Sequence, residues 1–387
     1  MNFETTMTGS FYRSKPVIEL LAKSPTGEIG SEYEKVAIDA ERTAVRDQLH
    51  PDGYGYGLDW VSNGEQRKAG YTTYLPNRFS GFSRTRKVAQ NFGKDFIAEL
   101  IEASPGIASV LGDSPAFRLP EIESPLHYTG EKLARSEAED AARIAKEEKA
   151  KRIFIPSPSP GVITVFYPPG KAYRNHEEYL DSVAKEIRKE YMSILSVSNV
   201  DLQIDAPDLA MAASLGVDWG VDFYDALPLH VDAINRAIEG LPRDRIRVHY
   251  CYGNYVASHM SDPPYEKVLP EITRLKVGTL VGEMANGRHQ GDPIKLRKYV
   301  KDHGWPSGMR YAVGVVDVKS PFVETPETIA LRLSNVASID SIGAEKVLGG
   351  TDCGFETFEN MGSVPRSIAL KKLKSLVQGA ELARKMF

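Results

Sequence analysis

Cysteine is scarce in this chain: 387 residues contain two, Cys251 and Cys353. At most one disulfide can form, and in a reducing compartment a widely spaced pair with a histidine nearby more often binds metal or does chemistry. Long apolar runs are missing too. No stretch is long enough to cross a bilayer, and Met1-Asn2-Phe3-Glu4-Thr5 is not a basic region followed by an apolar core, so a cytoplasmic protein with no membrane partner is expected. Nor does charge of one sign dominate. Charged residues make up 26% and the formal net charge is −4, which builds no basic field of the kind nucleic-acid binding needs. Small-molecule chemistry is the expectation that survives, and self-association into a homo-oligomer is left open.

What is present is alternation. Short β-rich runs precede helical patterns through most of the chain, with strands expected at 58–65, 152–156, 200–205, 246–251, 278–283, 311–317 and 346–353. Helices are expected at about 31–48, 176–194, 226–239, 265–274, 294–302, 326–338 and 367–386. Strand followed by helix, repeated this often, argues for a parallel sheet with helical crossovers; closed on itself, that is an α/β fold of the (β/α)8 TIM-barrel type. A length of 387 residues suits one such domain, 1–387, carrying an insertion. The insertion is expected at about 104–152. Residues 104–125 are rich in Pro, Gly and Ser, and 131–152 are almost all Ala, Glu, Lys and Arg, which reads as a solvated helix laced with pairs such as Glu147 and Lys151.

Polar residues end the expected strands: Glu65, Asp205, His249, Cys251, Glu283, Asp317 and Cys353. In a barrel of this type such residues converge on one face, where the chemistry is done. His249 and Cys251 are two apart in Arg247-Val248-His249-Tyr250-Cys251, so strand alternation points both the same way. Each alone reads as core, His249 as a hydrogen-bonded histidine and Cys251 as a small buried hydrophobe. Together with Cys353, in Thr351-Asp352-Cys353-Gly354, they make a mixed N and S shell suited to Zn2+, with Glu283 as a possible fourth ligand or as the ion-pair partner of Arg288. Two thiolates and a carboxylate leave such a site net negative, which favours activating a substrate thiol over acidifying water. Gly9 and Ser10 offer backbone NH groups to an anionic ligand, or form an ordinary N-terminal loop.

These residues carry a resemblance. His249-Tyr-Cys251, Gln203-Ile-Asp205-Ala-Pro207, Gly9-Ser10-Phe11 and Thr351-Asp-Cys353-Gly354 resemble the C-terminal catalytic barrel of cobalamin-independent methionine synthases, and more closely the stand-alone, barrel-only relatives that include the epoxyalkane:coenzyme M transferases. The resemblance runs from Thr8 to the C-terminal helix. It implies zinc held by His249, Cys251, Glu283 and Cys353, with Ser10, Glu65 and Asp205 holding the carboxylate and amino group of an amino-acid thiol. A zinc-dependent transfer of an alkyl group, most simply methyl, to a thiolate such as that of homocysteine follows as the expected activity. Addition of a thiol to an epoxide, or a zinc-independent decarboxylase or lyase on the same barrel, are the alternatives. One position departs from the family pattern: where methionine synthases have the proton-transferring histidine of Tyr-Asp-Ile-His-Ser-Pro, this chain has Val316-Asp317-Val318-Lys319-Ser320-Pro321. Lys319 and Asp317 are therefore expected to carry the catalytic role there. The second, N-terminal barrel of full-length methionine synthases is also not found in the chain, so the alkyl donor is left open between a methylfolate, a simpler methylated compound and an epoxide.

Overall fold

The computed structural model describes residues 2–23, 31–53, 55, 57–88, 93–104, 118–217, 219–358 and 361–387. Among the described residues ten strands form two sheets: β1 (Glu4–Thr5), β2 (Trp60–Ser62), β3 (Phe79–Val88), β4 (Arg118–Tyr128), β5 (Arg152–Pro158), β6 (Val200–Ala206), β7 (Ile246–Tyr250), β8 (Thr279–Gly282), β9 (Arg310–Val316) and β10 (Val347–Thr351). Eight of them pair in the order β1-β10-β9-β8-β7-β6-β5-β2, every neighbour parallel, and β3 with β4 make a separate antiparallel ribbon. Helices cross between successive strands of the large sheet, among them His176–Leu195, Phe223–Ala237, Tyr265–Ile272, Asp292–His303 and Pro326–Ala337. This is the expected barrel, nearly closed.

The seam lies between β1 and β2, because β1 is only two residues long and offers little backbone to pair. Side chains bridge it instead. Thr5 N donates to Asp59 Oδ2 at 2.9 Å, Asp59 N donates to Thr5 Oγ1 at 3.1 Å, and Trp60 Nε1 donates to Glu4 Oε2 at 3.3 Å. Beyond the strands, Phe11 N donates to Gly64 O at 3.1 Å, tying the loop after β1 to the loop after β2.

The interior is packed in layers, as barrels of this type are. Trp60, Val281, Ala312 and Leu348 form one apolar layer. Arg247 is buried in the barrel, its guanidinium 4.2 Å from the centroid of Phe154 and donating to Thr6 Oγ1 at 2.8 Å. Burial lowers its pKa to about 9. Register then sets Asp205 beside His249 and His249 beside Val281, so the polar ends of β6 and β7 lie side by side.

The stretch 131–152 departs from expectation. Helix Glu131–Glu147 has one buried face, Ala134, Glu137, Ala138, Ala141, Ile144 and Ala145, and packs against Ser31–Leu49 and His176–Leu195 as a crossover helix between β2 and β5. Its alanines are small enough to let neighbouring helices approach, and so they serve as core. Lys151 pairs with Asp59 rather than Glu147, and Arg143 pairs with Asp140 at 2.7 Å and Glu147 at 3.6 Å. The β3–β4 ribbon with helix Lys94–Ala103 is the segment added to the barrel pattern. Residues 105–117 of the expected Pro, Gly and Ser-rich stretch lie outside the described residues.

Glu137 anchors the added ribbon to the barrel. It accepts from Asn63 Nδ2 at 2.9 Å and from Arg78 Nη2 at 2.5 Å, with Lys68 Nζ 3.8 Å away. Burial opposes its ionisation, yet Lys68, Arg78 and Arg67 outweigh that and hold its carboxyl down at about 2. A carboxyl lower in the folded than in the unfolded chain stabilises the fold fully above the unfolded value of 4.5, and that contribution fades as pH falls toward 2. Glu137→Ala leaves buried cations uncompensated and is expected to cost about 3–5 kcal/mol of unfolding free energy at pH 7. In denaturant titrations the deficit should shrink between pH 4.5 and pH 2; a deficit that did not change with pH would mean that packing, not charge, is lost.

Candidate active site

Because all eight barrel strands run parallel, their C-terminal ends share one face. His249 sits in β7 and Cys251 one residue past its end; Cys353 follows β10 by two residues, Asp205 is the penultimate residue of β6, and Glu65 lies three past β2. All five line one cavity of about 420 Å3, together with Ser10. Its outer wall is apolar and aromatic, with Tyr71, Phe96, Leu100, Phe166, Tyr255 and Phe358 among the lining residues. Of the described residues that line it, none is a lysine or arginine.

His249, Cys251 and Cys353 converge at the floor, with one ligand-type atom from each lying within 4.8 Å of the others. The two sulfurs are 3.8 Å apart, far beyond a disulfide bond of about 2.05 Å. That spacing matches the edge of a tetrahedron whose metal–sulfur bonds are about 2.3 Å, roughly 3.8 Å. His249 Nδ1 lies 3.0 Å from Asp205 Oδ1, an acceptor that fixes the proton there and leaves Nε2 to face the thiols. Nε2 is buried and has no hydrogen-bond partner. An orphaned imidazole nitrogen beside two thiols in a dry pocket is the donor set zinc takes, and the three residues fit it.

The electrostatics agree. Burial opposes the imidazolium of His249, but the bond to Asp205 and the neighbouring Cys353 thiolate more than offset it and raise the pKa to about 10. The Cys251 thiol, donating toward Cys353, stabilises the Cys353 thiolate and with His249 draws that group down to about 5 against the cost of burial. Cys251 is pushed the other way, first by that shared hydrogen bond and then by burial. The trio thus holds protons that a cation would have to displace.

Glu65 and Asp205 form an acid pair above the trio. Burial first, then the neighbouring Asp205, raise Glu65 to about 8, and its Oε2 is buried without a partner. Glu65 also has φ of +55°, a left-handed backbone that an ordinary residue adopts only where its surroundings enforce it. Here Glu65 N donates to Asn63 Oδ1 at 3.1 Å and its carbonyl accepts from Lys68 N at 3.0 Å. Gly9 is required opposite: with φ of +50°, a Cβ there would lie 2.6 Å from Glu65 Oε1. Ser10, the next residue, packs so closely on Gly354 that a side chain at that glycine would overlap its Oγ. Ser10 O accepts from Phe355 N at 3.0 Å, so the N-terminal loop is stitched to the Cys353 turn.

The remaining candidates are placed differently. Glu283 is buried just behind Cys251, and its oxygens are taken up by Tyr252 N at 2.9 Å, Asn286 Nδ2 at 2.8 Å and Lys319 Nζ at 3.3 Å. It is not one of the three converging ligands, and Arg288 is not its partner, for Lys319 is. Lys319 lies behind Glu283 with 12% of its side chain exposed and does not line the cavity. Burial works against its charge, but Glu283, Asp352 and the thiols keep it firmly protonated. Asp317 Oδ1 accepts from Lys319 N at 2.8 Å, capping its own turn, and stays out of the cavity. Asp352 was not singled out in the sequence; its carboxylate accepts from the backbone N–H groups of Met284, Ala285 and Asn286 at 2.8–3.0 Å and so fixes the loop after Glu283. The aromatic wall was missed as well, since its rings come from five separate segments with no shared motif.

A (β/α)8 barrel whose C-terminal face holds a His-Cys-Cys cluster beside an acid pair belongs to the class of barrels that gather their polar side chains at the strand ends. Within that class, the chain belongs to the family of cobalamin-independent synthases: the family model of the catalytic domain matches residues 180–381, more than half of the chain. Among its relatives is a methionine synthase of Sulfolobus acidocaldarius, 24% identical over 98% of this chain and 92% of that one. Another is a 2-hydroxypropyl-CoM lyase of Xanthobacter autotrophicus, 26% identical over 52% of this chain and 56% of that one. The solved structure of a B12-independent methionine synthase from Shewanella sp. W3-18-1, in complex with selenomethionine, shares the fold with a TM-score of 0.71 and 20% identity, covering 100% of this chain and 99% of that one. Among the described residues no helix is long and apolar enough to cross a membrane.

Asp205 should therefore matter to metal affinity. Asp205→Asn removes the charged acceptor on His249 Nδ1 and is expected to weaken zinc binding about 10–100-fold in competition titrations with a chelating dye. Affinity in the unaltered protein should fall as pH falls, because binding releases protons from the thiols and the imidazole. Unchanged affinity in Asp205→Asn would show that the carboxylate does not orient the ligand.

Proposed function

We propose that this chain is a zinc-dependent methyltransferase that moves a methyl group from a small-molecule donor to the thiolate of an amino-acid thiol, homocysteine being the candidate. The observation that carries the reading is the partnerless His249 Nε2 facing two thiols 3.8 Å apart, on the floor of the cavity that Glu65, Asp205 and Ser10 also line. The family, and the methionine synthases among the relatives, support it. Zinc held by His249, Cys251 and Cys353 would supply the means of keeping a substrate thiol, whose pKa is about 8.5 when free, in its nucleophilic thiolate form.

The chain's own residues do the rest. Asp205 holds the His249 tautomer, and its second oxygen together with Glu65 offers an acidic seat for the substrate ammonium. An arriving ammonium takes the place of the proton that Glu65 carries near neutral pH. The Gly9-Ser10 turn, which packs on Glu65 and lines the cavity through Ser10, suits the substrate carboxylate. Lys319 steadies Glu283 against the thiols instead of reaching the donor. The relative that is a CoM lyase favours a second reading, a thiol bearing a sulfonate. Such an anion would meet two carboxylates and, among the described lining residues, no lysine or arginine.

Zinc-loaded protein incubated with homocysteine and a panel of methyl donors should yield methionine by mass spectrometry; methylation of sulfonate thiols alone would overturn the reading. Glu65→Gln should raise KM for homocysteine about 10–100-fold through loss of a charge-assisted contact of about 1.5–3 kcal/mol, with little effect on a thiol lacking an amino group. Lys319→Met should lower kcat/KM by the same factor with every donor, since the ammonium acts through Glu283. A loss confined to one class of donor would place Lys319 against the donor itself.

A further inference from the structure

The outer cavity has a composition that selects its second occupant. Tyr71, Phe166 and Phe358 form a continuous aromatic wall, with centroids 5.6 Å apart for Tyr71 with Phe166 and with Phe358, and 6.5 Å for Phe166 with Phe358. Phe96 and Tyr255, centroids 4.7 Å apart, bring two more rings to the cavity. These rings come from the turn after β2, the short helix Pro160–Phe166, the loop after β10, helix Lys94–Ala103 and the loop after β7. Five independent segments thus supply aromatic side chains to one space. Among the described residues, the only acids lining it are Glu65 and Asp205, and there is no lysine or arginine.

Aromatic faces and carboxylates attract cations, and neither can neutralise an anion. We propose that the methyl donor carries its methyl on a positively charged centre, a sulfonium or a quaternary ammonium, seated against the Tyr71, Phe166 and Phe358 wall. This rests on the methyltransferase reading above and names its donor class. The step balances without a further reactant. The thiolate lone pair forms the new S–CH3 bond, the electron pair of the donor's C–S+ or C–N+ bond stays on the departing atom, and two uncharged products remain. No proton is needed, whereas an uncharged amine donor would need one at its leaving nitrogen. The wall offers only the phenols of Tyr71 and Tyr255, whose ordinary pKa of about 10 makes them poor acids at neutral pH. A neutral thioether or amine leaves readily from an apolar wall.

Choline and its uncharged carbon isostere 3,3-dimethylbutan-1-ol, titrated into the zinc-loaded full-length protein by NMR or calorimetry, separate charge from shape. Choline should bind about threefold to thirtyfold more tightly, the range of one cation–π contact. Phe358→Leu and Phe166→Leu should each erode that preference, and Phe358→Tyr should keep it, with thermal melts reporting that each variant is folded. Equal binding of the two probes, or a preference untouched by both leucine variants, overturns the proposal. Methyl transfer to homocysteine from trimethylsulfonium is the expected companion result. A cation preference with no transfer from any donor upholds the wall assignment and removes the methyltransferase reading. Transfer from an uncharged donor with no cation preference does the reverse.

Discussion

The bond between Asp205 and His249 is the point on which the site depends. Neighbouring parallel strands bring these residues into register at their C-terminal ends, and the 3.0 Å contact decides which imidazole nitrogen faces the cavity. With Nδ1 committed to the carboxylate, Nε2 is left buried beside the thiols of Cys251 and Cys353. Such a buried polar atom costs free energy unless a partner engages it. The fold therefore holds the three ligand-type side chains together, and barrel packing bears the cost of keeping them so.

Charge beneath and behind the cavity is arranged to tolerate this. Arg247 lies deeper in the barrel on the same strand as His249, held by aromatic faces and by Thr6 and Met7. Lys319 answers Glu283, and Asp352 ties the following loop through three backbone N–H groups. Thr351 accepts from Thr8 N at 3.0 Å and donates to Cys353 O at 2.8 Å, so the cysteine turn and the N-terminal loop move as one piece.

The cavity above has a different logic. Its acids and thiols come from the barrel strand ends, while rings and aliphatic chains come from the added helix Lys94–Ala103 and from loops after several strands. The β3–β4 ribbon that carries this helix is fastened to the barrel by Arg78, whose guanidinium joins Glu137 to Glu190 at 2.5 and 3.2 Å. The cavity is thus built in two parts: the barrel supplies acids and thiols, and the inserted and looped segments supply aromatic side chains.

The alternation of β-rich runs with helical patterns by itself determined the barrel, because periods of two and of 3.6 residues are local properties of a sequence. The two-residue spacing of His249 and Cys251 likewise determined that both face one way, and the turn around Cys353 marked the third member. What only the tertiary structure decided depends on distance between segments. Helix Glu131–Glu147 looked solvated because alanine is compatible with water, yet its neighbours pack close enough to make it core and to bury Glu137. Two residues of β1 carry too little pattern to read, although they close the barrel through Asp59. Glu283 ends a strand as the ligands do, but Lys319 and two nitrogen donors claim its oxygens. Asp317 ends a strand as well and turns back to cap its own loop. Strand-end position brings a residue to the catalytic face; which partner it meets there is set by the three-dimensional packing of loops whose sequences hold no period.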